Sequence, residues 1–225
     1  MLDIVKSFQR LETDWVDKFL TIDESASINE SLPINGALSH NIRPIWTGSR
    51  FCGSAFTVEA RPGDNLILHK ALELIQPGDV LIISYSGFLE SGGMFGGVMS
   101  TIAKEKGCVG LVTDGAVRDT KVIKDIAFPV YSGGINVKST TKRAGGKINN
   151  PINICDVTVQ PGDLVYGDDD AVVIVPKKYL AEVYEKASKR EEQEEVTLNK
   201  FRSSGTIPFE QFEKTFSELG LTEEK

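Results

Sequence analysis

Two short stretches in the middle of the chain carry the residue types that could do chemistry. The first is Gly92-Gly93-Met94-Phe95-Gly96-Gly97-Val98-Met99-Ser100, a glycine-rich loop that runs into a helical pattern. Glycines let backbone N–H groups converge on an anion, and a helix N-terminus adds unpaired donors and a favourable dipole. A carboxylate or a phosphate is the natural guest. The loop matches neither the Walker A pattern, which needs a Gly-Lys-Ser/Thr end, nor the Gly-x-Gly-x-x-Gly dinucleotide fingerprint. A tight turn with close backbone packing would use the same residues. The second stretch is Asp114-Gly115-Ala116-Val117-Arg118-Asp119. Arg118 offers a planar cation able to grip a carboxylate or an enolate oxygen, and Asp119 a hard oxygen ligand suited to magnesium or manganese. Adjacent opposite charges also suit a surface turn in which Asp119 caps a helix.

The elements that must position these residues follow from the punctuation of the chain. Pro-Gly-Asp stands at 62–64, 77–79 and 161–163, and each copy should reverse the chain at an element boundary. Asp64 is placed to cap a helix over 65–75, whose Leu66, Leu68, Ala71, Leu72 and Ile75 approximate helical spacing. The other two copies lead into short β-branched runs, Val80–Ser84 and Leu164–Tyr166, which read as strands. Further strands are expected at Ser54–Ala60, Val109–Thr113, Phe128–Tyr131, Ile152–Val159 and Ala171–Val175. Helices are expected near Val98–Lys106, ended by Gly107, and near Thr120–Ile126. This order predicts an α/β domain over residues 1–176, N-terminal helices included, with a mixed sheet or a pair of packed sheets. In such a sheet the glycine loop and the Arg118 turn both follow strand carboxyl ends, where ligands of open α/β sheets collect.

After Pro176 a long charged helix should run from about Lys177 to Phe201, within a C-terminal helical extension over 177–225. Its apolar stripe runs through Leu180, Tyr184 and Ala187 and resumes at Leu198 and Phe201. Glu191 and Glu194 stand in the gap, either as a solvated face or as acids turned toward a partner at a subunit boundary. Asp168, Asp169 and Asp170 precede a buried-looking strand and read chiefly as turn and capping residues.

Composition narrows the function classes. With 225 residues, 40% of them apolar, the chain can bury one substantial core. No run is long and apolar enough to cross a bilayer, and the first residues lack the pattern of a signal peptide, so a cytoplasmic protein is expected. The 3 cysteines, Cys52, Cys108 and Cys155, are far apart, and only 2 histidines could assist them in holding a soft metal. Buried thiols in a reducing compartment are the expectation. A net charge of −7 repels nucleic acid, and the basic stretch Lys138 to Lys147 lacks the aromatics that stack bases, which reads as a solvated loop.

Several ordered motifs together resemble the RraA-like family, which unites 4-hydroxy-4-methyl-2-oxoglutarate aldolase with the regulator of ribonuclease activity A. They are Ile42-Arg43-Pro44, Gly53–Val58, Pro62–Asn65, the glycine loop, Asp114–Asp119 and the stretch from Pro161 to Pro176. The resemblance implies an αββα sandwich of the swivelling β/β/α-domain type, assembled as a homotrimer or a dimer of trimers with sites between subunits. It implies cleavage of 4-hydroxy-2-oxo acids to pyruvate, dependent on a divalent metal, Mg2+ or Mn2+, with oxaloacetate decarboxylation as a side activity. By motif position, the amides around Gly96, Gly97, Val98 and Met99 would hold the pyruvyl carboxylate. Arg118 would stabilise the enolate, and Asp119 would hold the metal directly or through water. Glu194 of a neighbouring copy's extension, with Glu191 and Glu195 as alternatives, would complete the metal site. The family's non-enzymatic branch, which binds and inhibits a ribonuclease, implies a different role on the same fold, and it lacks the C-terminal extension. Aldolases of the family commonly carry an acid where this chain has Gly97, so a protonation role for that acid does not carry over.

Overall fold

The computed structural model describes residues 2–205 and 210–220. In chain order the elements are β1 (Asp3–Ile4), α1 (Thr13–Phe19), α2 (Ser25–Ser31), β2 (Arg43–Pro44), β3 (Phe51–Ala60), α3 (Leu66–Leu74) and β4 (Asp79–Ser84). The central segment holds β5 (Gly93–Phe95), α4 (Gly97–Glu105), β6 (Gly110–Val117), α5 (Thr120–Asp125), β7 (Val130–Ile135) and β8 (Gly146–Ile148). Then come β9 (Ile152–Ile154), β10 (Val157–Val159), β11 (Leu164–Gly167), β12 (Val172–Val175), a 3-10 turn at Lys177–Tyr179, α6 (Leu180–Ser204) and α7 (Glu210–Glu218).

The main sheet has the order β1-β8-β3-β4-β6-β7-β2, with β3, β4, β6 and β7 mutually parallel. The first half of β3 turns away from β4 and pairs antiparallel with β11, which carries β12 on its other side. Strand alternation then sorts the side chains into layers. Phe56, Val58, Leu81, Ile83, Leu111 and Val117 face α3, α4 and α5 in one core cluster. Ala55, Val80, Ile82 and Val112 face the other way, onto Val165, Val172 and Ile174 of β11 and β12 and onto the hairpin β9–β10. The opposite faces of β11 and β12, with Leu164, Tyr166, Val173 and Val175, pack under α1, α2 and the first turns of α6. Helix, sheet, sheet, helix is the αββα arrangement that the family resemblance implies.

Several boundaries move for physical reasons. Ile152–Val159 is a hairpin instead of one strand, because Cys155 adopts a positive φ of 55° and reverses the chain. Cys155 is consequently exposed, contrary to the expectation of buried thiols, while Cys52 and Cys108 are buried, and burial pushes both of those up to about 12. The strand expected to end at Thr113 continues to Val117, because its last residues find new partners in β5 and β7 across an irregularity in register. Asp64 stands one residue before the cap position of α3, which is Asn65; it accepts the Leu66 N–H at 2.9 Å, and it also takes the Thr141 hydroxyl and the Arg143 N–H at 2.6 Å each. Those bonds hold its carboxyl below the ordinary range against the opposing effect of burial. Asp168–Asp170 serve as turn and cap: Asp168 accepts N–H groups from Ser25, Asp170 and Ala171, and Asp169 accepts that of Gly48.

The first compact unit runs through Ala187, and the second is Ser188–Lys225. The boundary falls inside α6 because Leu180, Val183 and Ala187 are buried in the first unit's core. No helix among the described residues is long and apolar enough to cross a membrane.

Candidate active site

The two chemical stretches meet because β5 and β6 are parallel neighbours. Gly93 pairs with Ala116 and Phe95 with Val117, and the Arg118 N–H donates to the Phe95 carbonyl at 3.0 Å. The glycine loop and the Arg118 turn therefore leave the same edge of the sheet side by side. The glycines are needed for contact. A Cβ on Gly93 would stand 2.9 Å from the Arg118 Cβ, and one on Gly96 would stand 2.6 Å from the Asp119 Oδ2 and 3.1 Å from the Arg118 Nε. Both charged side chains lie directly on the loop backbone.

Asp119 occupies the left-handed region at φ 58°, a conformation that Asp tolerates better than most residues. It stands at the N-cap of α5, yet its side chain makes no cap bond there. Instead Oδ2 accepts the Gly97 N–H at 2.9 Å, the first amide of α4. A carboxylate at that helix start is favoured by the unpaired donors and the dipole. The Val98 and Met99 amides follow in the first turn and have no acceptor within the helix. Val98 points outward, 74% exposed, while Met99 is turned into the core. The Arg118 Nε lies 3.8 Å from the Asp119 Oδ2, with the two side chains 38% and 48% exposed. The Arg118 and Asp119 side chains thus stay partly exposed beside the start of α4.

The supporting residues are ones that a reading of the sequence does not single out. Asp114 sits at the register irregularity of β6, where its carboxylate accepts the Tyr85 N–H at 2.5 Å, the Gly87 N–H at 3.0 Å and the Ser84 hydroxyl at 3.4 Å. Burial raises its pKa despite these bonds. It ties the turn after β4 to the strand that carries Arg118. Asn65 donates to the Met94 carbonyl at 3.1 Å. Val122 of α5 covers Gly97, where a Cβ would meet the Val122 Cγ1 at 2.9 Å. The signals available were a polar residue inside a strand run and the Asn that follows Pro-Gly-Asp; only the fold gives them partners.

The three acids expected from the extension lie on the part of α6 that belongs to the second unit. Glu194 pairs with Arg190 at 2.9 Å and Glu195 with Arg202 at 3.2 Å, while Glu191 is half-buried. Among the described residues no three His, Cys, Asp or Glu side chains of the chain converge as a ready metal cluster. In the basic stretch expected to be a solvated loop, Lys138 lies outside the strands and pairs with Glu90 at 2.9 Å, whereas Lys147 stands in β8 and pairs at 3.0 Å with Glu59, its ladder neighbour on β3.

Comparison with known proteins bears on this geometry. The RraA-like family model, described as Aldolase/RraA, matches residues 23–174. The chain belongs to the RraA-like family. A relative from Halalkalibacterium halodurans, provisionally named a 4-hydroxy-4-methyl-2-oxoglutarate aldolase, is 34% identical over 185 residues, 82% of this chain and 87% of its own. A Pseudomonas syringae structure superposes with a TM-score of 0.80 at 29% identity, covering 89% of this chain and 94% of its own. Streptomyces coelicolor RraAS2, described as an unusual member of the RNase ES inhibitor RraA protein family, superposes with a TM-score of 0.75 at 27% identity, covering 84% and 98%. RraA-like relatives thus carry both an aldolase name and an inhibitor name, and the residues of the site must decide between them.

Proposed function

We propose that this RraA-like chain is a carbon–carbon lyase that cleaves 4-hydroxy-2-oxo acids to pyruvate, of the 4-hydroxy-4-methyl-2-oxoglutarate or 4-carboxy-4-hydroxy-2-oxoadipate type. Oxaloacetate decarboxylation is its companion activity. The observation that supports this reading is the contact of Asp119 with the first amide of α4, with the Arg118 Nε 3.8 Å from the same carboxylate oxygen.

Each residue then has a task. The Val98 and Met99 amides receive the carboxylate of the 2-oxo acid, as helix N-termini receive anions. Gly97 already gives its N–H to Asp119, so it orients the carboxylate side chain instead of the ligand. When the C3–C4 bond breaks, its electron pair moves onto C3 and is delocalised to the C2 oxygen as an enolate. The Arg118 guanidinium beside that oxygen stabilises the developing charge, a type of preorganised interaction commonly worth about 3–4 kcal/mol of barrier. The enolate carbon then takes a proton from solvent, and in the aldol case a water-derived base removes the proton of the C4 hydroxyl. Oxaloacetate loses carbon dioxide through the same enolate, so one pocket serves both substrates.

The donor set suits a hard divalent cation. The Asp119 Oδ2 is engaged by the Gly97 N–H, which among the described residues leaves Oδ1 for a cation, and magnesium commonly takes one or two carboxylates and fills the rest of its shell with water and substrate. Mg2+ or Mn2+ held there would polarise the substrate oxygens as a Lewis acid. We further propose that the site is completed in a homotrimer or dimer of trimers, with Glu194 of a neighbouring copy near Asp119. At position 97 no acid is available to protonate the product, and Val122 lies over the space such a side chain would need.

The test measures pyruvate release, with a coupled dehydrogenase, from oxaloacetate and a panel of 4-hydroxy-2-oxo acids, with added Mg2+ or Mn2+ and after exhaustive chelation. Metal-dependent release supports the lyase. No release from any substrate, together with measurable binding to a ribonuclease, would favour the inhibitor role that the Streptomyces neighbour's description names.

A further inference from the structure

We infer that Asn65 is a positioning residue for this site, setting the shape of the glycine turn from the side opposite Asp119; the inference rests on the reaction proposed above. The turn between β5 and α4 contains Gly96 and Gly97, which have no side chains with which to hold its shape. It is pinned on the solvent side by the Asp119 carboxylate on the Gly97 N–H. On the buried side stands Asn65, 5% exposed. Its Nδ2 donates to the Met94 carbonyl at 3.1 Å, before the turn, and lies 3.7 Å from the Met99 Sδ, after it. One planar amide therefore spans both ends of the turn.

Asn65 is itself held firmly. Its N–H donates to the Thr141 carbonyl at 3.1 Å, and the adjacent Asp64 binds Leu66, Thr141 and Arg143. The Gly63 N–H reaches the Met94 Sδ at 3.3 Å, a second strut from the same turn. Folding alone does not account for an amide at this place. Among the described residues the buried Asn65 Oδ1 has no hydrogen-bond partner, a cost that an apolar side chain of similar size would not carry. What the amide provides is a fixed distance between the strand that delivers the glycine loop and the helix whose first amides meet the ligand.

Asn65→Leu keeps the branched heavy-atom skeleton and removes the donor, and Asn65→Asp keeps the shape and removes the donor at neutral pH. Asn65→Ser serves if either fails to fold. Three quantities are read: the thermal midpoint, amide hydrogen exchange of the segment 94–100, and KM and kcat for oxaloacetate. The expected result is a near-unchanged midpoint for Asn65→Leu, exchange about tenfold faster in that segment alone, and a rise of about tenfold in KM that exceeds any fall in kcat. Unchanged exchange in 94–100 overturns the inference, as does faster exchange spread over the whole molecule in step with a lower midpoint. A changed KM with unchanged exchange also overturns it, because Asn65 would then touch the ligand itself. If the wild-type protein releases no pyruvate, the reaction falls, and the exchange measurement still decides the role of Asn65.

Discussion

Replacing Gly96 with alanine should separate the fold from the chemistry. Gly96 has φ −133° and ψ −171°, an extended conformation open to any residue, so the backbone resists nothing. The added Cβ, however, would stand 2.6 Å from the Asp119 Oδ2, 3.0 Å from the Arg118 Cγ and 3.1 Å from the Arg118 Nε. To restore ordinary contact at 3.4 Å, the carboxylate must retreat by about 0.8 Å, which also loosens its bond to the Gly97 N–H. Both neighbours are partly exposed and can move, so the expected loss of stability is small, about 1 kcal/mol or less. A displacement approaching an ångström at a reacting centre commonly costs about a hundredfold in rate, or about 2.7 kcal/mol of transition-state stabilisation. Steady-state pyruvate release and thermal unfolding on the same preparation would check both numbers. Gly134→Ala is the control, since its Cβ would meet only ordinary contacts with Leu89 from 3.6 Å outward. A Gly96→Ala protein with kcat/KM near wild type would refute the placement of Arg118 and Asp119 at the reacting centre.

Arg118→Lys should lower kcat by about a hundredfold or more although charge is kept, because an ammonium cannot reproduce a planar guanidinium, and a near-normal rate would remove Arg118 from the site. Asp119→Ala and Glu194→Ala proteins should each be feeble, yet hetero-oligomers of the two, verified by mass, should regain some activity if neighbouring copies share the site; no recovery would count against sharing. Asp79→Asn should destabilise the fold by about 3 kcal/mol in urea unfolding, because the fully buried Asp79 holds Arg10 through two bonds of 2.7 and 2.8 Å; a loss below about 1 kcal/mol would contradict that weight. For Asp114 the folded pKa is raised, so the folded chain keeps this proton longer than the unfolded chain does. The stability from this group is fully present below the unfolded carboxylate value and is lost as pH rises through the folded value. Asp114→Asn should therefore show a smaller fall in thermal midpoint than wild type across that acid window, and parallel curves would rule the effect out.

Much of the fold is legible in local pattern. The Pro-Gly-Asp turns, the β-branched runs and the stop at Gly107 depend only on neighbours in sequence, and these elements stand where the pattern puts them. Boundaries fail where partners distant in sequence decide them. Residues 114–117 become strand because β5 and β7 offer ladder partners, and 152–159 becomes a hairpin because one residue takes a positive φ.

The same division holds for the site. Sequence by itself determined the residue types on offer: a glycine loop before a helix, an Arg-Asp pair after a strand, and the family whose motifs these are. Only the tertiary structure decided that the loop and the pair touch, since that follows from β5 and β6 lying parallel with Gly93 beside Ala116. It also decided that Asp119 caps α4 and not the α5 that it begins, because at φ 58° its side chain reaches the Gly97 N–H across the gap between the two helices. A carboxylate's choice of partner is settled by distances of a few ångströms, and spacing along the chain does not encode them.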